Sequence, residues 1–386
     1  MERNILFILI SRIFRSLPLG YMAFLVPLYL HYIGFPPSII GLYFLVATLS
    51  ISFYLIIGGF LGDAFGKRNI LIVFSILFSI NFAIFTFSYN PYIIFITSLL
   101  GVGVGSGGGV GGGAGGGPFN PLQTSLIAQF TKKEELTKVY SYNFAASTIS
   151  AFAGSLIADC VSKVEAPYHI LFLIGLLFSL VSLIFTYFIE KDYGTGKIRI
   201  PKNSYSSISK ISIAGSLGSL GLGMIMPLIP LWFKLYFHAT EFQISFLYSI
   251  SYALVGISFI FASRIEKMLG RVKAIAIMRG LSSIILIAMA FVPSFFIVEI
   301  LFLSRSIMYT VTIPMRQSLS MNVFSETERA TGVSITGLAR RLPYGAGSLA
   351  SGILLGLGLF ISALFLGGLI SILDPLLYYI FFRKIQ

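Results

Sequence analysis

The side chains able to do chemistry in this chain are few, and they stand where charge is expensive. Arg15, Arg305, Arg340, Arg341 and Asp374 all fall inside long apolar stretches. An ionisable group at membrane depth is costly, and it normally faces a bundle interior, a partner or a cargo. A guanidinium presents a planar fork that matches carboxylate or phosphate oxygens. Arg15 and Arg305 are therefore candidates for holding an anion, or for a structural pairing. Asn120, Gln123 and Asn143 supply neutral hydrogen bonds for the same kind of site, or bridge helices. Arg340 and Arg341 are consecutive, so on a helix they point about 100° apart and cannot both face one ligand. One of them is expected to pair with Asp374; the alternative is that Asp374 carries a coupling proton. Arg12 and Arg279 lie closer to span ends and are expected to snorkel toward water.

Other chemistries lack their residues. Cys160 is the single cysteine, which excludes an intrachain disulfide and a cysteine metal cluster. His31, His169 and His238 are far apart and show no ligand spacing. No nucleophile–base pair and no metal or cofactor motif is present, so an enzyme is not expected. Gly103, Gly105 and Gly108 fit G-x-G-x-x-G, but twelve of the seventeen residues from Gly101 to Gly117 are glycine, so the match carries little. No strand–helix context or G-K-[S/T] accompanies it, so nucleotide binding is not supported. Glycine weakens a helix by roughly 1 kcal/mol per residue relative to alanine. The run is expected to be an irregular segment at the cytoplasmic end of the fourth span.

The elements that position these residues are membrane spans. Of 386 residues, 56% are hydrophobic and only 11% charged, against roughly 25% charged in soluble domains; the mean hydropathy is +0.91. Apolar stretches of about 18 residues or more can cross a ~30 Å hydrocarbon core. Punctuation by proline, glycine and charge gives about twelve of them: 5–32, 38–62, 69–89, 92–129, 137–161, 167–189, 209–236, 242–264, 272–293, 295–322, 330–355 and 357–382. The first is too long for a cleaved signal and is kept as a span. The expected fold class is an all-α polytopic membrane protein, with six spans in 1–190, a polar linker at 191–208 and six spans in 209–386.

Charge sets the expected orientation. Lysine and arginine remain on the cytoplasmic side. With the N-terminus inside, Arg3, Lys67, Arg68, Lys132, Lys133, Lys138, the linker cations Lys191, Lys197, Arg199 and Lys202, Arg264, Lys267, Arg271, Lys273, Arg316, Arg329, Arg383 and Lys384 lie inside, and only Lys163 and Lys234 near the outside. Both termini are then cytoplasmic, and the net charge of +13 reflects topology rather than nucleic-acid binding. Tyr29, Tyr32, Trp232, Phe233, Tyr236 and Phe237 fit an outer interfacial belt.

The two halves repeat one another. Gly20 and Pro27-Leu28-Tyr29 match Gly223 and Pro230-Leu231-Trp232 at an offset of 203 residues. Gly66-Lys67 matches Gly270-Arg271 at 204. Pro121, Ser125-Leu126, Glu135 and Gly154-Ser155-Leu156 match Pro314, Ser318-Leu319, Glu328 and Gly347-Ser348-Leu349 at 193. The change of offset places about ten extra residues between Gly66 and Pro121, the interval that holds the glycine run. Parallel repeats of this kind are a transporter pattern.

The loop after the second span reads G-F-L-G-D-A-F-G-K-R, Gly59 to Arg68. It resembles the signature loop of the major facilitator superfamily. The resemblance implies that Gly59 allows close helix packing, Asp63 pairs at a helix end, Gly66 makes the turn, and Lys67 and Arg68 face the cytoplasm. In that family this loop helps switch the two halves between states. The second copy, Arg264 to Arg271, is degenerate, with Glu266 in place of the aspartate. Span five, A-A-S-T-I-S-A-F-A-G-S, lacks the family's antiporter pattern. The resemblance further implies a monomeric transporter of the cell membrane, carrying a small solute by alternating access. Spans one, four, seven and ten would line its cavity, which makes Arg15, Arg305, Asn120 and Gln123 substrate-binding candidates and an anion the suggested cargo. The alternatives are export of drugs, lipophilic compounds or sugars by the same fold, and a non-transporting receptor or lipid-handling protein.

Overall fold

The computed structural model describes residues 3–101, 117–131, 136–162, 167–191, 205–324 and 329–383. Fifteen helices occur among them and no strand. They run α1 Arg3–Tyr32, α2 Pro37–Phe65, α3 Lys67–Phe87, α4 Pro91–Leu100, α5 Phe119–Phe130, α6 Leu136–Val161, α7 Pro167–Tyr187, α8 Tyr205–Gly223, α9 Ile229–Phe237, α10 Glu241–Leu269, α11 Arg271–Met289, α12 Phe295–Val323, α13 Arg329–Gly356, α14 Phe360–Ser371 and α15 Leu373–Phe382. Among the described residues, nine helical stretches are long and apolar enough to cross a membrane. The remaining expected spans are α4 with α5, α8 with α9, and α13, so the fifteen helices fill twelve spans.

Interrupted spans have local causes. Pro227 and Pro230 withhold backbone donors between α8 and α9, and the chain turns there, with the Met226 amide donating to the Leu222 carbonyl at 2.8 Å. Helix α4 opens on Asn90, whose side chain accepts from the Tyr92 amide at 2.9 Å, with Pro91 in the first turn. It ends at Gly101, which adopts φ +62°. Helix α4 therefore stops where the glycine run begins, and the irregular segment expected from the run falls outside the described residues. Residues 102–116 of the run lie outside the described residues.

The chain forms two compact units. Unit 1 comprises Met1–Phe35, Val46–Lys197 and Thr240–Tyr252; unit 2 comprises Pro36–Leu45, Ile198–Ala239 and Ala253–Gln386. These units cut across the halves drawn from the sequence, because the start of α2 packs in unit 2 and the start of α10 packs in unit 1. Helix α8 also begins inside the expected linker, at Tyr205.

Each unit is clasped by the same pair of glycines. In unit 1, a Cβ on Gly20 of α1 would collide with the Ala151 carbonyl of α6, and one on Gly154 would collide with the Leu17 carbonyl. In unit 2, a Cβ on Gly223 would collide with the Tyr344 carbonyl of α13, and one on Gly347 with the Leu220 carbonyl. All four contacts map onto one another at the repeat offsets of 203 and 193. Small residues let membrane helices approach backbone to backbone. Gly66 at φ +90° and Gly270 at φ +78° form equivalent turns into α3 and α11. The outer aromatic expectation holds only in part: Tyr32 is exposed, but Tyr29, Trp232 and Phe233 are buried. They pack in aromatic clusters, Tyr29 against Phe172 at 4.9 Å and Trp232 against Phe237 at 5.0 Å.

Candidate functional site

Unit 1 holds a buried cation pair. Arg12 and Arg15 stand three residues apart on α1, hence on one face, and each is 1% exposed. Arg12 Nη1 donates to Gln123 Oε1 at 3.2 Å, and Arg15 Nη2 donates to the same oxygen at 2.6 Å. The Arg15 guanidinium lies 4.0 Å from the Phe119 ring centroid. Gln123 and Phe119 both come from α5. Among the described residues Arg15 meets no carboxylate, and its Nε, also buried, has no hydrogen-bond partner. Two guanidinium groups thus converge on one neutral oxygen and an aromatic face. For Arg15, the described partners, one neutral oxygen and one ring, offset only part of the desolvation cost of the buried cation.

Uncharged polar side chains are also buried on α1 and α6. Ser16 donates to Ser147 at 3.3 Å across α1 and α6. Asn143 is buried, and its Oδ1 has no hydrogen-bond partner among the described residues. Asn120 is half-buried in the first turn of α5, and its carbonyl accepts from the Thr124 hydroxyl at 2.6 Å. No hydrogen bond ties the Asn120 side chain to the arginines. The structure therefore brings Arg15 and Gln123 together, adds Arg12, and leaves Asn120 apart. The expected snorkelling of Arg12 is overturned, because its guanidinium folds inward to Gln123.

Unit 2 solves the same problem differently. Asp374 on α15 is 3% exposed. Its Oδ2 accepts from Arg279 of α11 and, at 3.4 Å, from Arg316 of α12. Arg316 also donates to the Tyr378 hydroxyl at 2.8 and 3.1 Å, and Arg279 donates to Thr312 at 2.9 Å. The expected partners of Asp374, Arg340 and Arg341, do not form its ion pairs. Arg340 donates to the Thr336 carbonyl at 3.0 Å in its own helix, and both arginines are half-buried. Arg279 and Arg316, expected near water, are 4% and 7% exposed, because the buried carboxylate draws them in.

Arg305 of α12 is 1% exposed. Its Nη1 donates to Met226 Sδ at 3.1 Å in the break between α8 and α9, and its guanidinium lies 4.8 Å from the Tyr309 ring centroid. Arg279 shares that ring at 4.3 Å. The α8–α9 break thus gives a buried cation a soft acceptor.

The signature loop is only partly as expected. Gly66 makes the turn. Among the described residues a Cβ on Gly59 meets nothing within 4 Å, so no close packing is seen there. The close approaches are at Gly58, against Phe74 at 2.8 Å, and Gly62, against Leu122 at 2.6 Å. Arg68 does not face water: it is 7% exposed, donates to the Tyr187 carbonyl at 2.5 Å, and lies over the Tyr187 ring. A cation there complements the negative C-terminal end of α7. Lys67 is half-buried, and the Asp63 side chain lies outside the described residues. Arg12, Arg279, Arg316, Tyr309 and Tyr378 were the residues missed from sequence. The three-residue spacing of Arg12 and Arg15 was the signal available for the first.

Each of the two repeated helical units buries arginines, Arg12 and Arg15 in one and Arg279, Arg305 and Arg316 in the other. The family model described as Major Facilitator Superfamily matches residues 6–208 and 211–385. The chain belongs to the major facilitator superfamily, and is a multi-pass membrane transporter rather than an enzyme. No curated protein sequence matches it significantly. Among solved structures it is similar to the POT family transporter PepTSo, with TM-score 0.78 and 12% identity over 100% of this chain and 98% of that one. It is also similar to the nucleoside transporter NupG, with TM-score 0.75 and 13% identity over 100% of both chains. The human organic anion transporter MFSD10 (TETRAN) gives TM-score 0.67 and 13% identity, covering 98% of this chain and 100% of that chain.

Proposed function

We propose that this transporter carries a small anionic solute by alternating access, and that Arg15, with Arg12 and Gln123, binds the anion. The supporting observation is the Arg15 guanidinium, buried on a neutral oxygen and a ring with no carboxylate among the described residues. A cargo anion would offset that buried charge. Arg305, on Met226 and Tyr309, is the second candidate contact. Asp374 already shares two arginines, which favours a structural ion cluster over a coupling proton. The structural relatives carry cargoes of several kinds, so the cargo is argued from Arg15 and not from likeness. A cell-membrane location with both termini cytoplasmic follows from the cation distribution, and the 1–190 and 209–386 halves would rock about the linker as monomeric machinery.

The test is thermal unfolding of the purified protein against anions, neutral sugars and lipophilic cations. A ligand that binds the folded state raises Tm by mass action. The expected result is a saturable shift from one anion class that is lost in Arg15→Gln. A shift from lipophilic cations alone would move the reading to multidrug export.

A further inference from the structure

The break between α8 and α9 is seated on the rest of unit 2 at three points. Beyond the break, Phe233 of α9 packs edge-on against Phe302 of α12, with ring centroids 5.7 Å apart. Within it, Met226 Sδ accepts from Arg305 Nη1 at 3.1 Å. Phe302 and Arg305 stand three residues apart on α12 and so present one face. Before the break, a Cβ on Gly218 of α8 would strike the Asp374 side chain. A thioether is a weak acceptor, so the sulfur by itself is a poor anchor for a guanidinium.

A second contact of Arg305 is the Tyr309 ring, one turn further along α12, with 4.8 Å between guanidinium and centroid. Arg279 of α11 lies over the same ring at 4.3 Å. Arg279 is fixed in its turn: it donates to the Asp374 carboxylate and, from Nε, to the Thr312 hydroxyl at 2.9 Å. That hydroxyl donates to the Tyr309 carbonyl at 2.7 Å, so Arg279 is tied to both the ring and the backbone of Tyr309. The contacts close a circuit. They run from Asp374 through Arg279, Tyr309 and Arg305 to Met226, and return along α8 to Gly218 on Asp374. Every member belongs to unit 2.

We infer that Tyr309 is a positioning residue: it holds Arg305 on Met226 and lets the Asp374 cluster set the geometry of the α8–α9 break. A guanidinium is drawn to the face of an aromatic ring, and a ring tied to Arg279 offers that face in one place. The break and the ion cluster then change together, because α9 cannot turn about Met226 without pulling Arg305 from its ring. The inference concerns how Arg305 is held and does not depend on the charge of the cargo.

The chain has one tryptophan, Trp232. It lies on α9 just beyond the break, 1% exposed and stacked on Tyr236 at 5.4 Å. Its fluorescence therefore reports how α9 is seated. The experiment is acrylamide quenching of Trp232, well below the melting temperature of each protein, in wild type, Tyr309→Phe, Tyr309→Leu, Arg279→Lys, Met226→Leu and Phe82→Leu. Phe82 is fully buried in unit 1, so its variant controls for lost stability. Tyr309→Phe keeps the ring and is expected to quench like wild type. Tyr309→Leu and Met226→Leu are expected to raise the quenching constant at least twofold. Arg279→Lys keeps a cation for Asp374 but loses the planar group over the ring; the same rise is expected, and this arm decides if Tyr309→Leu does not fold. Wild-type quenching in Tyr309→Leu or Arg279→Lys overturns the positioning role, as does a rise in Tyr309→Phe. Wild-type quenching in Met226→Leu overturns the link from Arg305 to the break. An equal rise in Phe82→Leu shows that the signal follows stability and overturns the inference.

Discussion

At the scale of single residues, the molecule handles buried arginine in two ways. Arg279 and Arg316 are neutralised by Asp374, whereas among the described residues Arg15 meets Gln123 and Phe119 and no carboxylate. Removing one partner of a buried charge cluster leaves uncompensated charge, a loss of roughly 3–5 kcal/mol. Asp374→Ala is therefore expected to lower Tm strongly, and Asp374→Leu combined with Arg279→Leu to recover part of the loss; equal melting of the two variants would show that the cluster is not coupled. For Arg15→Gln the prediction concerns affinity, since hydrogen bonds to charged groups contribute roughly 1.5–3 kcal/mol. Anion binding is expected to weaken by about 10- to 150-fold, read by titration. Arg15 and Gln123 were legible as site candidates because they are polar residues in apolar spans. The partners of Asp374 were not, because Arg279 and Arg316 lie 95 and 58 residues away and only packing brings them in.

Glycine does different work at different positions of the elements. Gly20, Gly154, Gly223 and Gly347 set the closest approach of α1 to α6 and of α8 to α13. Gly20→Val or Gly223→Val is expected to destabilise by at least the ~1–3 kcal/mol typical of overpacking. Gly280, inside α11, meets nothing within 4 Å among the described residues. Gly280→Ala is expected to be neutral or to stabilise by roughly 0.5–1 kcal/mol, since alanine is the better helix former. Melting temperatures of the variants check the contrast; equal losses at Gly20 and Gly280 would contradict it. The repeat offsets made these glycines visible in the sequence. Nothing in the local pattern told Gly59 from Gly58 and Gly62, because which face of α2 meets Phe74 and Leu122 is decided by neighbours. The breaks at Gly101 and at Pro227 were foreshadowed by composition, but the sequence pattern alone read each as part of a single span.

For the whole molecule, hydropathy and the internal repeat anticipated the twelve spans and the family, because both depend on summed properties that survive local error. The compact units depend on long-range packing, which is why the starts of α2 and α10 were assigned to the other unit. The proposed topology has its own test. In a Cys160→Ser background, Lys197→Cys is expected to react with an impermeant thiol reagent only from the cytoplasmic side, and His238→Cys only from outside; the reverse pattern would invert the orientation. The central claim is that the carrier moves an anion by way of Arg15. Its most direct measurement is uptake of radiolabelled small anions into proteoliposomes, beside a neutral sugar and a lipophilic cation, for wild type and Arg15→Gln. Saturable anion uptake by wild type, reduced at least tenfold in a folded Arg15→Gln variant, is the predicted result. Uptake of only the sugar or the cation, at the same rate in both proteins, would contradict it.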